Sequence, residues 1–395
     1  MRHVLTFLLL VHGAIHLAGF LKWSKLSPVT QLTGRTLFPL GDLAGSVFAG
    51  LWLLALLGLL VAAGLHAVHH EAWAMLAVGS VCLSQLLIVC AWHDAKFGTL
   101  ANLLILVPAL ATLAHGRFVK NTADEIRQLL ASSSAAVTQP VELGDLQPLP
   151  APVRKWLARS GVIGKPRART VRLKQQGGLR TSPDAAFMPA RAEQYFDLVD
   201  PAFIWRVDAT MLGFLPFAGR DSYSRGKGHM LIKAASLLTV VDANDERIAH
   251  GALLRLLAEA IWFPSLALSP LLSWKSLDSS SAEATLSHHG LIASATYSFD
   301  EQGRVTGMRA QRFLGGGSEA KLTTWVASCT AWRIMDGIEV PTEGAVSWEL
   351  ATGTFTYYQW QLLDLQYDRT ALYDDPVDSA STPALHTSSP EVLAR

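Results

Sequence analysis

Long runs of apolar residues fill the first 115 positions of the chain. Four of these stretches approach the length of about 20 residues that a helix needs to cross a bilayer, so they predict four transmembrane helices. The first stretch is not interpreted as a cleaved signal peptide, because it contains two histidines, ends in Lys22-Trp23 and lacks a small-x-small cleavage site. The four stretches are residues 4–21, 43–65, 72–92 and 97–114.

Short connections and aromatic residues support a compact bundle. The second and third stretches are separated by only six residues, HAVHHE, which predicts an antiparallel helical hairpin. Trp23, Trp73 and Trp92 lie where an aromatic belt at the membrane surface is expected. We therefore predict a four-helix membrane domain over residues 1–116.

The pattern changes after residue 167 to alternating apolar and polar positions punctuated by Gly, Asp and Asn, which is typical of β-strands. One helix interrupts the strands at residues 250–262 and is ended by Phe263-Pro264. We therefore predict an α+β domain whose curved, half-barrel-like antiparallel sheet carries one inserted helix. The predicted strands are 168–176, 191–199, 203–212, 221–227, 229–242, 282–287, 290–299, 304–314, 320–333, 339–350 and 354–367.

These patterns divide the chain into four parts. Residues 1–116 form the membrane domain, and residues 117–147 are expected to be a juxtamembrane helix followed by a flexible linker. Residues 148–370 form the β-rich soluble domain. Residues 371–395 are rich in Ser, Thr and Pro and are predicted to be disordered.

Charge separates the two main parts. The first 115 residues hold eight charged side chains, whereas the remaining 280 hold 57, so a wholly soluble protein is excluded. The net charge of +1 and the absence of a basic run exclude a nucleic-acid-binding protein. The three cysteines, Cys82, Cys90 and Cys329, exclude a disulfide framework and a CxxC-type metal site.

The basic residues that flank the four stretches bear on the orientation in the membrane. Four Lys or Arg residues lie on each side, which is a tie under the positive-inside rule. The first helix usually dominates, and it is preceded by Arg2 but followed by Lys22 and Lys25. This favours an extracytoplasmic location for the C-terminal domain.

Several polar residues lie within or beside the predicted membrane helices. Such residues are costly in a bilayer, so they either bond neighbouring helices or form a ligand or proton site. Asp94 is expected to pair with Lys22 and Lys96. No metal site is predicted here, because two histidines without a third ligand are insufficient. The candidate residues are His12, His16, Gln85, Asp94, Lys96 and Asn102, with Ser84 beside Gln85.

The helix at 250–262 carries the most informative residues of the soluble domain. Arg255 and Glu259 are four residues apart and therefore share one helix face as an ion pair. One interpretation places this pair at the surface. The other makes it the polar end of an apolar ligand pocket lined by Trp262, Phe263 and Trp205.

The sequence contains no recognised catalytic signature. It has no GxSxG, HExxH, P-loop or Rossmann fingerprint, so no catalytic residue and no cofactor are predicted. His288 and His289 precede Gly290 in a predicted turn. Adjacent histidines are expected to point in different directions, so we interpret them as part of a solvated loop.

Motifs along nearly the whole chain resemble those of a large uncharacterised family of bacterial membrane proteins. The resemblance implies the same two-part architecture, with a β-rich half similar to lipoprotein-carrier (LolA-like) domains. It implies no activity, because that family has none established. The motifs are HGxIHLxGFxKW at 12–23, SQxLI at 84–88, WxDAKFGTLAN at 92–102, LPAPVRxWL at 149–157, LLRxLAEAxWFP at 253–264, FDxxGRV at 299–305 and GIEVPTEGxVSWEL…GxFxYYxW across 337–360.

Three classes of function remain open. The first is a non-enzymatic, membrane-anchored protein whose β-rich domain binds a hydrophobic or lipid-like molecule, with membrane lipid as its partner. The second is a small membrane enzyme similar to the DoxX-type bundles, using His12, His16 and Asp94 in redox or proton chemistry. The third is a structural or signalling subunit without a small-molecule ligand.

Overall fold

The structure is a computed structural model that describes residues 2–131, 139–315 and 319–373. Within these ranges the chain forms two compact units. One unit comprises the residues up to Val119 together with Ala235–Leu237, and the other comprises the remaining described residues from Lys120 onward.

The first unit is helical and contains the four predicted apolar helices. Each is long and apolar enough to cross a membrane. The third predicted stretch is divided in two, because the chain turns at Ala91 before a four-residue helix begins. The helices are α1 (Arg2–Ser24), α2 (Asp42–Ala67), α3 (Ala72–Cys90), α4 (Trp92–Ala95) and α5 (Gly98–Ala131).

Glycines allow close approach between these helices. A Cβ atom at Gly19 of α1 would collide with the indole ring of Trp52 on α2. A Cβ atom at Gly58 of α2 would collide with the hydroxyl of Ser80 on α3. Small residues at such contacts let apolar helices pack tightly, which is how helices associate where the surroundings are equally apolar.

The second unit is built on one antiparallel sheet of thirteen strands that is curved and not closed, with one inserted helix, as predicted. Its strand order is β6-β5-β4-β3-β2-β1-β13-β12-β11-β10-β9-β8-β7. The strands are β1 (Thr170–Leu179), β2 (Met188–Asp197), β3 (Ala202–Met211), β4 (Leu215–Ser224), β5 (Lys227–Ala234), β6 (Leu238–Ala243), β7 (Leu272–Ser276), β8 (Ser281–His288), β9 (Leu291–Phe299), β10 (Val305–Leu314), β11 (Lys321–Met335), β12 (Ile338–Leu350) and β13 (Gly353–Tyr367).

The inserted helix α7 spans Glu246–Glu259. It begins earlier than predicted because the Asp245 carboxylate accepts hydrogen bonds from the Arg247 and Ile248 N–H groups and caps the first turn. A 3-10 turn follows at Ala260–Trp262. The helix packs against β5 and β9, which belong to different halves of the sheet. Its buried leucines therefore fill the inside of the curve.

The strand pattern differs from prediction at two places. The predicted strand 229–242 is a hairpin of β5 and β6, because Ala235 and Ser236 have positive φ angles of 49° and 56° and reverse the chain. The short strand β7 was not predicted. Neither residue at the turn is a glycine, so the sequence carries no conventional signal for this reversal.

Segments on either side of the first gap also pack in the second unit. Ile126 and Leu130, near the end of α5, are buried against Tyr195 and Ile204 of the sheet. A short docking helix, α6 (Ala151–Ser160), follows further along the chain.

Residues 139–147 and the chain end were predicted to be flexible linker and disordered tail. In the structure Val141 and Leu146 belong to the core, and the side chains of Glu142 and Asp145 form a reciprocal capping box. At the other end, Tyr373 lies beneath the cations of Arg172 and Lys174. The rest of the predicted tail lies outside the described residues.

Candidate functional site

A cavity of about 540 Å³ lies within the β-rich unit. Strands from both halves of the sheet and helix α7 line it, and its wall is largely apolar. The lining side chains include four apolar residues of β3–β5 and four aromatic residues of β11 and β13. These are Val207, Phe217, Met230, Ile232, Trp325, Tyr357, Tyr358 and Trp360, with Ala209 and Ala327 between them.

Arg255 of α7 is the centre of a polar cluster on this wall. Its Nε donates to Oε1 of Glu259 over 2.8 Å, and its Nη1 donates to Oδ2 of Asp221 over 2.9 Å. The guanidinium lies 4.5 Å from the ring centroid of Trp205. Gln194 completes the cluster by donating to Glu259 Oε2 over 2.7 Å. One cation therefore joins the inserted helix to strand β4 through two carboxylates.

Burial perturbs the ionisation of this cluster. It raises the pKa of Glu259 and of Asp221, although the charge of Arg255 pulls in the opposite direction. Burial also works against the charge of Arg255, but the two carboxylates outweigh it and hold the arginine pKa above its ordinary value. The arginine is thus permanently charged, and any proton taken up by the cluster resides on a carboxylate.

A second cation, Arg312 of β10, lies elsewhere on the cavity wall. Its Nη1 donates to the Tyr357 hydroxyl over 3.3 Å, and the Trp325 indole N–H donates to the same oxygen over 3.0 Å. The guanidinium also lies 5.4 Å from the Trp325 ring centroid. Among the described residues, no carboxylate forms an ion pair with Arg312 within 4.0 Å. Aromatic groups hold it in place, and Asp221 interacts with it electrostatically without a direct bond.

The structure brings four of the five residues expected at a pocket together around the cavity. Glu259, Arg255, Trp262 and Trp205 all line it. Phe263 does not: it is fully buried, packs 4.8 Å from the ring of Phe196, and lines a separate cavity of about 170 Å³. The expectation for Phe263 is wrong because the 3-10 turn at its N-terminal side redirects the chain away from the larger cavity.

Sequence reasoning missed several polar residues of this cavity wall, three of which lie on strands. Asp221, Arg312 and Gln175 come from strands β4, β10 and β1 and reach the cavity only through the strand register. The sequence carries no signal for them, because each stands next to another polar residue of its strand. By contrast, Arg255 and Glu259 were visible because a helix places residues four apart side by side.

The helical unit buries a different polar cluster. His12 Nε2 lies 2.7 Å from Asn102 Oδ1, and the Ser84 hydroxyl donates to the same oxygen over 3.0 Å. His16 Nε2 lies 2.8 Å from the Ser84 hydroxyl, and the Asn102 amide donates to Gln85 Oε1 over 3.0 Å. Five side chains from three helices thus form one connected hydrogen-bond network.

A cavity of about 290 Å³ adjoins this network. His12, His16 and Trp52 line it together with Asp94. The indole N–H of Trp52 is buried and has no hydrogen-bond partner among the described residues. The cavity wall itself combines imidazole and indole rings with the Asp94 carboxylate.

Asp94 does not make the expected ion pairs. Its carboxylate accepts hydrogen bonds from the N–H of Thr33, over 3.1 Å, from the Thr33 hydroxyl, over 2.8 Å, and from the N–H of Gly34, over 2.9 Å. Partial burial favours the neutral form, but these bonds outweigh it and lower the pKa of Asp94. The residue fastens the loop between α1 and α2 to the turn after α3.

The two lysines expected to pair with Asp94 have other partners. Lys22 donates to the carbonyls of Val29 and Leu32 over 3.2 and 2.6 Å. The Lys96 ammonium lies 5.3 Å from the ring centroid of Phe97. The expectation of a shared carboxylate was wrong because backbone groups of the α1–α2 loop, which the helix pattern does not place, reach both Asp94 and Lys22.

The fold and cavities define a protein with a bundle of apolar helices and a curved-sheet unit that encloses a largely apolar chamber. Residues 139–360 match the model of a family of unknown function, DUF6544, and the chain belongs to that family. This confirms the resemblance read from the motifs. Comparison with curated proteins gives no match.

Two solved structures are similar to the chain at low sequence identity. A LolA superfamily protein from Nitrosomonas europaea is 12% identical, covers 61% of this chain and 96% of its own, and has a TM-score of 0.33. A DUF1329 family protein from Desulfovibrio piger is 10% identical, covers 58% of this chain and 94% of its own, and has a TM-score of 0.33. Likeness of this size says nothing about a ligand of this chain.

Proposed function

We propose that the protein is anchored in a membrane by its four apolar helices and that its β-rich unit binds a hydrophobic, lipid-like molecule with an acidic head group. The observation that carries the proposal is the 540 Å³ cavity whose apolar wall holds half-buried arginines. Cavities of roughly 300–1,000 Å³ with apolar walls and a few fixed polar groups are typical of small-molecule sites. We infer no catalytic step for it.

The wall chemistry supports an elongated apolar ligand. Val207 and Ile232 cannot form hydrogen bonds with water, and Trp360 can offer only its indole N–H. Water molecules beside these side chains would therefore form few hydrogen bonds with the wall. An acyl chain would remove apolar wall from water at about 25 cal/mol per Å² of buried surface. Exposed apolar residues also lie at strand ends, where Leu212 is 79% and Leu238 70% exposed.

The charges on the wall support an acidic head group. Arg180, Arg255 and Arg312 line the cavity together with the carboxylates of Asp221 and Glu259. Arg255 is shared between those two carboxylates, whereas Arg312 bonds directly to the Tyr357 hydroxyl and interacts with Asp221 only electrostatically, without an ion pair within 4.0 Å among the described residues. A carboxylate or phosphate on the ligand would give Arg312 a directly bonded counter-ion and gain a charge-assisted hydrogen bond.

A volume test addresses the apolar part. Full-length protein purified in amphipol is titrated with a fluorescent fatty acid, and bound acyl lipids are identified by native mass spectrometry. Ala327→Trp on β11 fills the cavity and is expected to reduce binding at least tenfold. Ile334→Trp on the same strand lies outside the cavity at a 74% exposed position and should bind normally. Equal binding by both variants would contradict the proposal, and no ligand in any form would favour a structural or signalling subunit.

A charge test addresses the head group. Arg312→Gln is expected to weaken binding of oleate but not of oleyl alcohol, which has the same chain without the charge. Arg309→Gln is the matched control, because Arg309 lies on the same strand, is exposed and is paired with Glu349. Loss of both ligands in Arg312→Gln would point to altered packing instead of charge recognition.

Membrane anchoring and orientation need their own experiment. We expect full-length protein to remain in the membrane fraction after carbonate extraction. A C-terminal alkaline phosphatase fusion, which is active only outside the cytoplasm, is expected to be active, because two lysines follow the first helix and one arginine precedes it. Carbonate-soluble protein would contradict anchoring, and an inactive fusion would reverse the orientation.

A second candidate function rests on the helical unit. The 290 Å³ cavity beside His12 and His16, with the indole ring of Trp52 on its wall, would suit a small aromatic redox carrier such as a quinone head group. Extraction of a quinone from the purified protein, and its loss in Trp52→Phe, would support a redox enzyme. Protein without extractable quinone would leave the network as interhelical hydrogen bonds.

A further inference from the structure

Three turns meet at one end of the β-rich unit. Asp200 lies in the turn between β2 and β3, and Arg225 and Gly226 form the turn between β4 and β5. His288 is the last residue of β8, and His289 follows it in the turn to β9. In the strand order β5 and β8 stand near opposite edges of the sheet, so the curvature of the sheet brings these turns together.

The two adjacent histidines converge because of the turn type. His289 and Gly290 both have positive φ angles, 48° and 81°, and they connect strands that pair at His288 and Leu291. This is the pattern of a two-residue type I′ hairpin. Because His289 is the first turn residue, its side chain no longer follows the alternation of side chains between the two faces of the strand. The expectation that the two imidazoles point apart is therefore wrong: both approach one carboxylate.

The geometry of this group is that of a small metal site. His288 Nε2 lies 2.8 Å and His289 Nε2 lies 3.3 Å from the same oxygen, Oδ1 of Asp200. The three possible ligand atoms all lie within 4.8 Å of one another. Ligand atoms around one zinc ion, at about 2.0–2.1 Å from the metal, are roughly 3.3 Å apart. Small movements of the side chains would place all three around one ion.

We propose that Asp200, His288 and His289 bind a zinc-like divalent transition-metal ion that joins the β2–β3 turn to the β8–β9 turn. Two imidazoles and one carboxylate are a ligand set that zinc accepts, with water in the fourth position. The site is independent of the ligand cavity, since none of its three residues lines that cavity.

A buried hydroxyl supports the ligand role of His288. The Tyr223 hydroxyl lies 2.8 Å from His288 Nδ1, and both side chains are buried. A tyrosine hydroxyl both donates and accepts, so it can accept the Nδ1–H of the tautomer whose Nε2 is free to bind metal. Metal-bound histidines characteristically have such a partner on the other ring nitrogen, which fixes the ring orientation.

Backbone packing also holds the turns at this distance. A Cβ atom at Gly226 would lie 3.0 Å from Cβ of His289, and Gly226 itself has a φ of 76°. A larger residue there would push the β4–β5 turn away from His289.

One feature opposes metal binding: Arg225 Nε lies 3.6 Å from Oδ2 of Asp200 and competes for the carboxylate. This arginine is 75% exposed and has room to swing aside.

The test measures zinc binding by the full-length protein. Protein stripped with a chelator is titrated with Zn²⁺ against a chromophoric competitor, and its melting temperature is recorded with and without the ion. We expect His289→Ala to bind one zinc equivalent fewer than the wild-type protein, or to bind that equivalent with an affinity at least about tenfold lower. We expect Zn²⁺ to raise the melting temperature of the wild-type protein but not of this variant. Because His289 is 46% exposed, its removal should leave the fold intact.

Two further variants separate ligation from other effects. His229→Ala removes a histidine that also contacts a carboxylate, Asp242 Oδ1 over 2.7 Å, but has no second histidine beside it. It should bind zinc like the wild-type protein. Arg225→Gln removes the competing cation and should tighten binding. Wild-type protein without zinc affinity, or equal affinity in the wild-type protein and His289→Ala, would overturn the proposal.

Discussion

The helical unit and the β-rich unit each bury a polar cluster in apolar surroundings, and the two clusters differ in charge. The helical cluster consists of histidine, serine, asparagine and glutamine side chains that bond one another. The cluster on α7 is built from a guanidinium and two carboxylates on the wall of a cavity. The neutral side chains of the helical cluster form hydrogen bonds with one another, and burying them costs a moderate amount of free energy. Burying the charged groups of the α7 cluster costs more, so their stability depends on each charge keeping its partner.

The difference indicates distinct roles. A neutral network between helices adds a modest amount of stability for each hydrogen bond. A buried ion triad is weak evidence for stability, because packed apolar residues of equal volume often do as well. Where such a triad faces an internal cavity, its charges are placed to bind a polar group of a ligand. The variants below are designed to break or sharpen this contrast.

The largest effect is expected for Arg255→Met. The substitution leaves Asp221 and Glu259 without their shared cation, and breaking a buried pair in this way costs about 3–5 kcal/mol. Arg309→Met removes an exposed pair with Glu349 and should cost about 1 kcal/mol or less. Chemical unfolding of the full-length protein in mild detergent measures both. Similar small losses would show that the charged cluster is no more demanding than a surface pair.

The Arg255→Met variant also has a distinctive dependence on pH. Burial already raises the pKa of both carboxyls in the folded protein, and loss of the cation raises it further. The folded state then keeps protons that the unfolded state releases above about pH 4, so the stability of the variant falls as pH rises through this range. The deficit relative to wild type should be smallest in acid, and a deficit independent of pH would contradict the charge argument.

A smaller loss is expected for Glu259→Gln. The neutral amide still accepts from Arg255, and Asp221 remains as its charged partner, so we expect about 1–3 kcal/mol. Glu349→Gln on the exposed pair serves as control and should change unfolding by well under that amount. A shift no larger than that of the control would remove Glu259 from the candidate site.

In the helical unit, Asn102→Leu tests the neutral network. It removes the hydrogen bonds to His12, Ser84 and Gln85, and interhelical bonds average about 0.6 kcal/mol each, so about 1–2 kcal/mol is expected. Asn121→Leu on the same helix is exposed and should have little effect. Unfolding in mixed detergent micelles is the measurement. A loss of unfolding free energy equal to that of Arg255→Met would show that the neutral and the charged clusters do not differ in their contribution to stability.

The smallest effect concerns Asp94. Asp94→Asn weakens the bonds from Thr33 and Gly34 and should cost about 1 kcal/mol. Lys96→Gln removes only a cation beside Phe97 and should cost about 0.5 kcal/mol or less. Because the pKa of Asp94 is lowered, its contribution is present above the unfolded pKa near 4 and is lost as pH falls through the folded value. Equal losses in both variants would mark Asp94 as a solvated loop charge.

Local sequence patterns predicted the fold well where apolar residues recur with the regular spacing of a helix or a strand. The apolar stretches, the strands from β8 to β13 and the inserted helix were all visible, because each side-chain period is repeated over several residues. The β5–β6 reversal was not visible, since Ala235 and Ser236 carry no turn signal. The positions of Val141 and Leu146 in the core were also missed, because an isolated apolar residue in a polar segment shows no periodic pattern.

The candidate sites divide in the same way. Arg255 and Glu259 were predictable as neighbours from helical spacing, but Asp221 joins them only through the register of β4. The convergence of His288, His289 and Asp200 depends on the curvature of a thirteen-strand sheet. No sequence window spans those 88 positions, so this arrangement required the structure.

The pairing of β1 with β13 has a consequence for how the protein folds. Within the described sheet, every other strand pair joins neighbours along the chain, whereas this one aligns Val171 with Tyr367. Closing so long a loop is entropically costly, and non-local pairings of this kind slow folding. We expect two arrays of hairpins to form early and separately. The pairing of β1 with β13 is then the step that joins the two arrays into one cooperatively folded unit. A mutation that weakens this pairing should slow folding more than a mutation elsewhere that causes the same loss of stability.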